Sequence, residues 1–527
     1  MAGLAFPVLT ALCAFLLYYH IVEPLVVNPL SRIPGPKFFA WTKWRLAYED
    51  WKGTRTRFIQ KLHVKYGPVV RIGPNEVSFN SLSAMRTIYG PGAPYGRTDF
   101  YQSFSFYGKR NMFSFKATKE HGERKKLFAA GYAKSVMLKA PVTNMIEAKV
   151  EQFMDLISQE TKSGSAMELF STLHYYSLDN ITEFLYGEEY ATKAMEGRME
   201  DRTLIADVLD PARRRLAWFS AHFYHFTIWL YSRAGAMERA LKPFLPMQKP
   251  STYTGIRKFA YDAYFGYKKN SDGRVKQKLS DDHFSLLDRL WEHHEDFKGD
   301  RGLGDLDVAS EVADHLLAGI DTTSDTLMFL IWALSLPQNL KFQGKLAEEL
   351  RSQLGDSFNE QGVPRAEVAD KLPYLDAIIK ETLRLYAPLP ATEPRWAPTD
   401  TTIDGFTIPA HTVIGMDPYS LHRNPDVFPE PTKFDPERWL GSDEEVKERK
   451  KWFWAFSSGG KMCIGMHLAM AEMTCLAAAI YSKYRTRVPD ELEHVAPGVT
   501  SRFEVFSDDT FPVMEEHKCL VKFKDFE

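Results

Sequence analysis

The amino-acid sequence predicts a mainly α fold with a smaller β part, preceded by a single N-terminal transmembrane helix. Three observations carry this. The first 22 residues contain no Asp, Glu, Lys or Arg. From about residue 119 onward, apolar residues recur at helical spacing with short connectors between segments. Runs with β character are brief and sit at residues 69–79 and 388–440.

Taken in order, the N-terminal run is just long enough to span a bilayer, which needs roughly 20 mostly apolar residues. No basic segment precedes it, unlike a secretory signal peptide. Arg32, Lys37, Lys43 and Arg45 all follow it, so the positive-inside rule leaves the N-terminus lumenal and the body cytosolic. Pro29, Pro34 and Pro36 come next; each fixes φ, and together they cannot continue a helix. The expected division is residues 1–27 as anchor, 28–37 as a stiff proline-rich joint and 38–527 as one body, because no linker, low-complexity tract or repeat divides the rest. Residues 53–66 read as a helix, and residues 69–79 as two strands split by Gly73-Pro74. Helices follow at 141–161 and 201–232. The longest candidate is 307–336, capped by Asp305 or Asp307 and stopped by Pro337. Residues 363–386 give two more, and 464–484 form an Ala-, Leu- and Met-rich helix, apolar almost all round and therefore buried.

Composition narrows the function. The net charge is −2, without the basic excess of a polyanion binder. Cys13, Cys463, Cys475 and Cys519 are too few for a disulfide framework in 527 residues. Sparse cysteines suit a reducing compartment, where a lone thiolate survives. Cys463 has the most distinctive setting, in Phe456-Ser-Ser-Gly-Gly-Lys-Met-Cys-Ile-Gly465. Gly459 and Gly460 permit a tight turn, and Gly465 removes a side chain beside the sulfur, so a flat ligand could approach. A helix beginning just afterward would stabilise a thiolate by its dipole and free N–H groups, lowering the thiol pKa. Phe456 would screen the sulfur from water. A structural cysteine in a glycine turn shares these features, and zinc would need more ligands than His467. Cys475 lies mid-helix among Leu and Ala and reads as packing.

The pattern Phe-x-x-Gly-x-Lys-x-Cys-x-Gly at 456–465 resembles the haem-binding loop of the cytochrome P-450 family. The resemblance implies that Cys463 is the axial thiolate of a haem b iron. It also implies that Phe456, Gly459 and Gly465 shape the loop, and that Lys461, where the family usually has Arg, meets a propionate. Three further motifs follow in the family's order. Ala318-Gly319-Ile-Asp321-Thr322-Thr323 lies midway along the longest helix. An interior Gly costs roughly 1 kcal/mol relative to Ala, and a Thr can bond back to the carbonyl one turn earlier. Together they could open a groove for a small ligand, with Asp321 as proton source and Thr322 as hydroxyl donor. By the resemblance, Asp321 and Thr322 supply protons for O–O cleavage. Glu381-Thr-Leu-Arg384 puts two charges on one helix face, and Phe434-Asp-Pro-Glu-Arg438-Trp439 follows. In the family these form a charge cluster under the haem, so Glu381, Arg384 and Arg438 are structural. Arg395 matches a family Arg that meets a propionate. His121 and Lys125 occupy the spacing of the family's Trp-x-x-x-Arg, with both residue types changed; His121 reads equally well as a surface residue.

The resemblance covers nearly the whole chain and implies a monooxygenase that inserts an oxygen atom from O2 into a hydrophobic small molecule. The aromatic run from Tyr95 to Phe115 would cap the pocket, with Ala387 to Thr392 and Val505-Phe506 as further walls. Arg124, Lys125, Lys126, Lys447, Arg449, Lys450 and Lys451 could steer an acidic redox protein, or simply form a solvated face. No flavin or nicotinamide fingerprint occurs. The resemblance therefore implies electrons from NADPH through a separate flavoprotein reductase on the same endoplasmic reticulum membrane. The local style, including His422-Arg-Asn-Pro, looks like membrane-bound fungal members, many of which act in secondary-metabolite pathways. Two other readings stay open here. One is an oxygen-independent isomerase or dehydratase acting on a peroxide, against which the Asp321-Thr322 pair argues. The other is a haem-binding sensor without turnover.

Overall fold

A computed structural model describes residues 2–206, 212–231, 233, 235–241, 243, 255–271, 284–292, 303–501 and 504–526. It is 60% helical and 11% strand. The N-terminus is helical from Ala2–Leu17 and continues as a π-helix over Tyr18–Val27. Within it, Pro7–Val27 is long and apolar enough to cross a membrane, and 6% of that stretch is buried. The proline joint is packed rather than loose. Leu30 and Ile33 are buried beneath the sheet, and the Pro34 carbonyl accepts the Arg71 N–H at 2.9 Å.

The helix Arg55–Tyr66 leads into strands Val69–Gly73 and Glu76–Phe79. These open a five-stranded sheet that continues through Val413–Gly415, Arg395–Trp396 and Gly96–Arg97. The antiparallel register of the last two strands sets Arg97 directly opposite Arg395. Two segments almost 300 residues apart thus bring two guanidinium groups to one place.

The helical body is organised around Asp305–Ser335, 31 residues long, which spans about 46 Å at ~1.5 Å per residue. Its N-cap is Gly304, and neither aspartate caps it. Asp305 pairs with Lys268 at 2.7 Å and Asp307 with Lys109 at 3.4 Å; both still favour the positive end of the helix dipole. The helix ends at Ser335, and Pro337 opens a short turn. Residues 201–232 are not one helix. Met199–Arg202, Ala212–His222 and Tyr224–Tyr231 are separate, and residues 207–211 and 232 lie outside the described residues.

Gly319 does something other than open a ligand groove. A Cβ there would meet Ile181 Cγ1 at 2.5 Å, so its missing side chain lets the long helix seat against the helix Leu169–Tyr186. Gly319→Ala is expected to destabilise the protein by about 1–3 kcal/mol, the usual cost of overpacking, despite the better helix propensity of Ala. Thermal or denaturant unfolding checks this; unchanged stability would mean the two helices have slack at this point.

Candidate functional site

The cysteine loop is pinned before the sulfur is reached. Gly459 sits at φ +63°, and a Cβ there would lie 2.2 Å from the Tyr89 carbonyl oxygen, so only glycine allows the loop to lie on the Tyr89-Gly90 backbone. The Cys463 N–H donates to the Phe456 carbonyl at 2.9 Å and closes the turn. The helix Met466–Lys483 starts directly afterward with Gly465 as N-cap. The backbone N–H groups of Gly465 and Met466 point to the Cys463 sulfur. Even so, burial outweighs these N–H groups and the Lys125 charge, and the thiol is pushed up rather than down. The expected lowering underestimated desolvation, which penalises an anion without a counter-ion.

Cys463 is surrounded by protein yet retains accessible surface, as befits the wall of an internal cavity. A Cβ added at Gly465 would meet only the Cys463 sulfur, at 4.0 Å. Space for a flat group therefore exists where the sequence placed it. The long helix also presents an accessible face. Most of its middle is buried, but Asp314, Leu317, Ala318, Gly319, Asp321 and Thr322 keep accessible surface. That spacing is one helical face, and in a core helix an accessible face must border an internal space. The Thr322 hydroxyl donates to the Ala318 carbonyl at 2.8 Å, the back-bond expected from sequence. The Asp321 side chain is 45% exposed.

Beneath the loop lies the charge cluster. Glu381 accepts two bonds from Arg384, both at 2.8 Å. It also accepts from Arg438 Nε at 3.0 Å, Trp439 Nε1 at 3.0 Å and the Asp435 N–H at 2.9 Å. Glu381 and Arg384 are wholly buried. Burial alone would raise the Glu381 pKa, but Arg384, then Arg438 and the Asp435 N–H, overcome it and hold the carboxyl below its ordinary value. The cluster is wired to the loop through His422, to which the sequence assigned no role beyond its place in His422-Arg-Asn-Pro. Arg384 donates to the His422 carbonyl at 2.9 Å, and His422 Nε2 accepts the Trp454 N–H at 2.8 Å.

The remaining predicted contacts converge on one side of the cavity. Arg395 is buried and bonded to the Tyr101 hydroxyl and to Glu393, both at 2.9 Å. Lys125 donates to the carbonyls of Gly460 at 3.2 Å and Met462 at 2.6 Å. Lys461 reaches the Tyr95 carbonyl at 3.3 Å and the Thr118 hydroxyl at 2.9 Å. His121 is buried, which overturns its reading as a surface residue. Arg97, missed in the sequence, completes the group, with its guanidinium 5.0 Å from both the Tyr101 and Phe113 ring centres. Its sequence signal was a cation inside an aromatic run.

These bases repel one another. Burial, then Arg97, Lys461, Lys125 and Arg395, pushes His121 down to about 2. Burial, then Arg395 and Arg97, pushes Lys461 down to about 8. Glu393 is the carboxylate bonded within the group. Such a concentration of cations beside an internal space suits a ligand with two carboxylates on one edge, as haem has. Among the described residues, no cluster of three or more His, Cys, Asp or Glu could hold a bare metal ion.

The basic outer face is smaller than expected. Arg124 pairs with the buried Glu311, and Arg449 donates to the Arg438 carbonyl at 2.5 Å. Burying their stems withdraws both from solvent and leaves Lys126, Lys447, Lys450 and Lys451 exposed, the last paired with Glu448.

Comparison with known proteins accords with this site. The family model described as Cytochrome P450 matches residues 33–497. Among similar curated proteins, Cytochrome P450 monooxygenase stcB of Emericella nidulans is 29% identical, covering 89% of this chain and 85% of its own. Cytochrome P450 monooxygenase orf2 of Aspergillus niger is 28% identical over 86% of each. Cytochrome P450 monooxygenase aflV of Aspergillus parasiticus is 28% identical, over 95% of this chain and 93% of its own. With a family match across most of its length, a cysteine loop and a charge cluster in place, the chain belongs to the cytochrome P450 family of haem-thiolate monooxygenases.

Proposed function

We propose that the Cys463 thiolate would hold the iron of haem b, and that the enzyme inserts one oxygen atom from O2 into a hydrophobic small molecule of a fungal secondary-metabolite pathway. The observation that carries this is the enclosed but accessible Cys463 sulfur, met by two helix N–H groups, with open space beside Gly465. Bound haem supplies the activation of dioxygen, and thiolate electron density favours O–O cleavage.

The chain's own residues do the rest. The N–H groups of Gly465 and Met466 hold charge on the sulfur, and Phe456 closes the loop over it. Lys461, Arg395, Lys125 and Arg97 would neutralise the propionates, and the uncharged His121 would offer one a ring N–H. Asp321 donates protons into the cavity. The Thr322 hydroxyl gives its own hydrogen to Ala318 and keeps lone pairs to hold a proton-carrying water. The aromatic residues from Tyr95 to Phe115 keep the pocket apolar, so it selects a lipophilic substrate.

Residues 1–27 anchor the protein in the endoplasmic reticulum membrane, 28–37 join anchor to body, and 38–527 form the cytosolic catalytic domain. Exposed Trp41, Trp44, Tyr48 and Trp51, together with Phe219 and Phe223, support contact between that body and the membrane surface. Electrons come from NADPH through a separate flavoprotein reductase, drawn to the exposed lysines around the cysteine side.

Purified enzyme with such a reductase, assayed on a lipophilic panel, should form product carrying label from 18O2 only when NADPH is present. Turnover without NADPH or reductase would instead establish an isomerase or dehydratase. Thr322→Ala should keep haem and NADPH oxidation but divert electrons to hydrogen peroxide; unchanged coupling would reduce Thr322 to a helix residue.

A further inference from the structure

The packing at Gly319 has a chemical consequence. It sets His174, on the helix Leu169–Tyr186, against two carboxyl groups of the long helix. His174 Nε2 lies 3.8 Å from Asp321 Oδ1 and 3.9 Å from Asp325 Oδ1. The other ring nitrogen, Nδ1, is 2.7 Å from the Phe170 carbonyl oxygen. A carbonyl only accepts, so Nδ1 carries a hydrogen, and Nε2 of the neutral ring is a lone pair facing both acids. The ring is 1% exposed.

The two acids are one turn apart on a single face, but their surroundings differ. The Asp321 side chain is 45% exposed and opens on the cavity; that of Asp325 is 8% exposed and walled in. Burial, then the charge of Asp321, holds the Asp325 carboxyl well above its ordinary value, which favours its protonated form. Burial drives His174 down to about 4 against the pull of the Phe170 carbonyl, with His517 adding to the lowering. The geometry thus sets a walled-in carboxyl, a lone-pair nitrogen and a second, accessible carboxyl side by side.

We propose that His174 relays a reserve proton from Asp325 to Asp321, so that Asp321 can deliver twice in one catalytic cycle. Oxygen insertion with two electrons consumes two protons, and both leave with the second oxygen atom as one water molecule. After Asp321 gives up its proton, the Asp325 O–H bond breaks as Nε2–H forms. That bond breaks in turn as the Asp321 O–H forms. The imidazole returns to its Nδ1–H form, and the Asp325 carboxylate regains its proton by the same path in reverse once the accessible Asp321 is protonated again. Both gaps are about 1 Å beyond a hydrogen bond, within reach of rotation about each Cβ–Cγ bond. Nearby titratable groups are His517, packed on Phe170 at 4.9 Å between ring centres, and Glu472, bonded to Thr323.

The relay rests on the reading of Asp321 as proton donor. Infrared spectroscopy tests the store without turnover. At neutral pH, Asp325→Asn should remove one protonated-carboxyl stretch, and His174→Gln should keep that band but shift it. No lost band in Asp325→Asn overturns the proposal. In the reconstituted enzyme, His174→Gln should retain haem content, thermal midpoint and NADPH oxidation, because Gln fills the Nε2 position but takes up no proton. Product formation should fall roughly tenfold, below the usual range for losing a positioned acid because the first proton remains, with peroxide rising to match. Unchanged coupling in both variants refutes the relay. Asp321→Asn separates the two claims: if it uncouples and His174→Gln does not, only the relay fails.

Discussion

Cys463→Ser is expected to abolish product formation and the long-wavelength Soret band of the reduced carbonyl complex. That band reports thiolate ligation, and a serine hydroxyl stays protonated at neutral pH and donates far less electron density to a metal. The loop should survive, because its turn is held by backbone: the Cys463 N–H to Phe456, and Gly459 against Tyr89-Gly90. Cys475→Ser is the control. Its sulfur is buried in the following helix, 3.5 Å from the Pro364 carbonyl, so it should cost some stability and leave the band intact. A band that persists in Cys463→Ser removes this residue from the iron.

The second large effect is on folding. Arg384→Leu leaves the Glu381 carboxylate buried after losing a two-pronged partner. Breaking a buried pair from one side costs about 3–5 kcal/mol, a large part of the total stability of a domain. The backbone carbonyls of His422 and Pro431 also lose this donor, and that of Lys433 keeps only Arg438, at 3.4 Å. Since His422 carries the link to Trp454 and the cysteine loop, haem retention should fall with the unfolding midpoint. Arg384→Lys keeps the charge without the fork and should lie between the two. Wild-type stability in Arg384→Leu would show that Arg438, Trp439 and the Asp435 N–H suffice to hold Glu381.

Much of the site was legible in sequence because its constraints are local. A glycine turn leading to a cysteine and then a helix is a contiguous pattern, as are Asp321-Thr322 and the i,i+3 pair Glu381 and Arg384. The elements themselves followed from periodicity: the two strands split at Gly73-Pro74, the buried helix after the cysteine, and the long central helix all lie within a residue or two of expectation. The failures share a cause. The helix cap, the role of Gly319, the burial of His121 and the sequestration of Arg124 all depend on what sits opposite.

By itself the sequence determined the fold class, the cysteine, the acid–alcohol pair and the charge cluster, since each is written in neighbouring residues or in short helical spacing. Tertiary structure alone decided the cation group and the company of Asp321. Arg97 meets Arg395 only through a strand pairing, and His174 meets Asp321 and Asp325 only because Gly319 lets two helices close on Ile181. The thiol of Cys463 shows the same limit. A helix N-terminus can be read from sequence, but the burial that outweighs it depends on the enclosing fold.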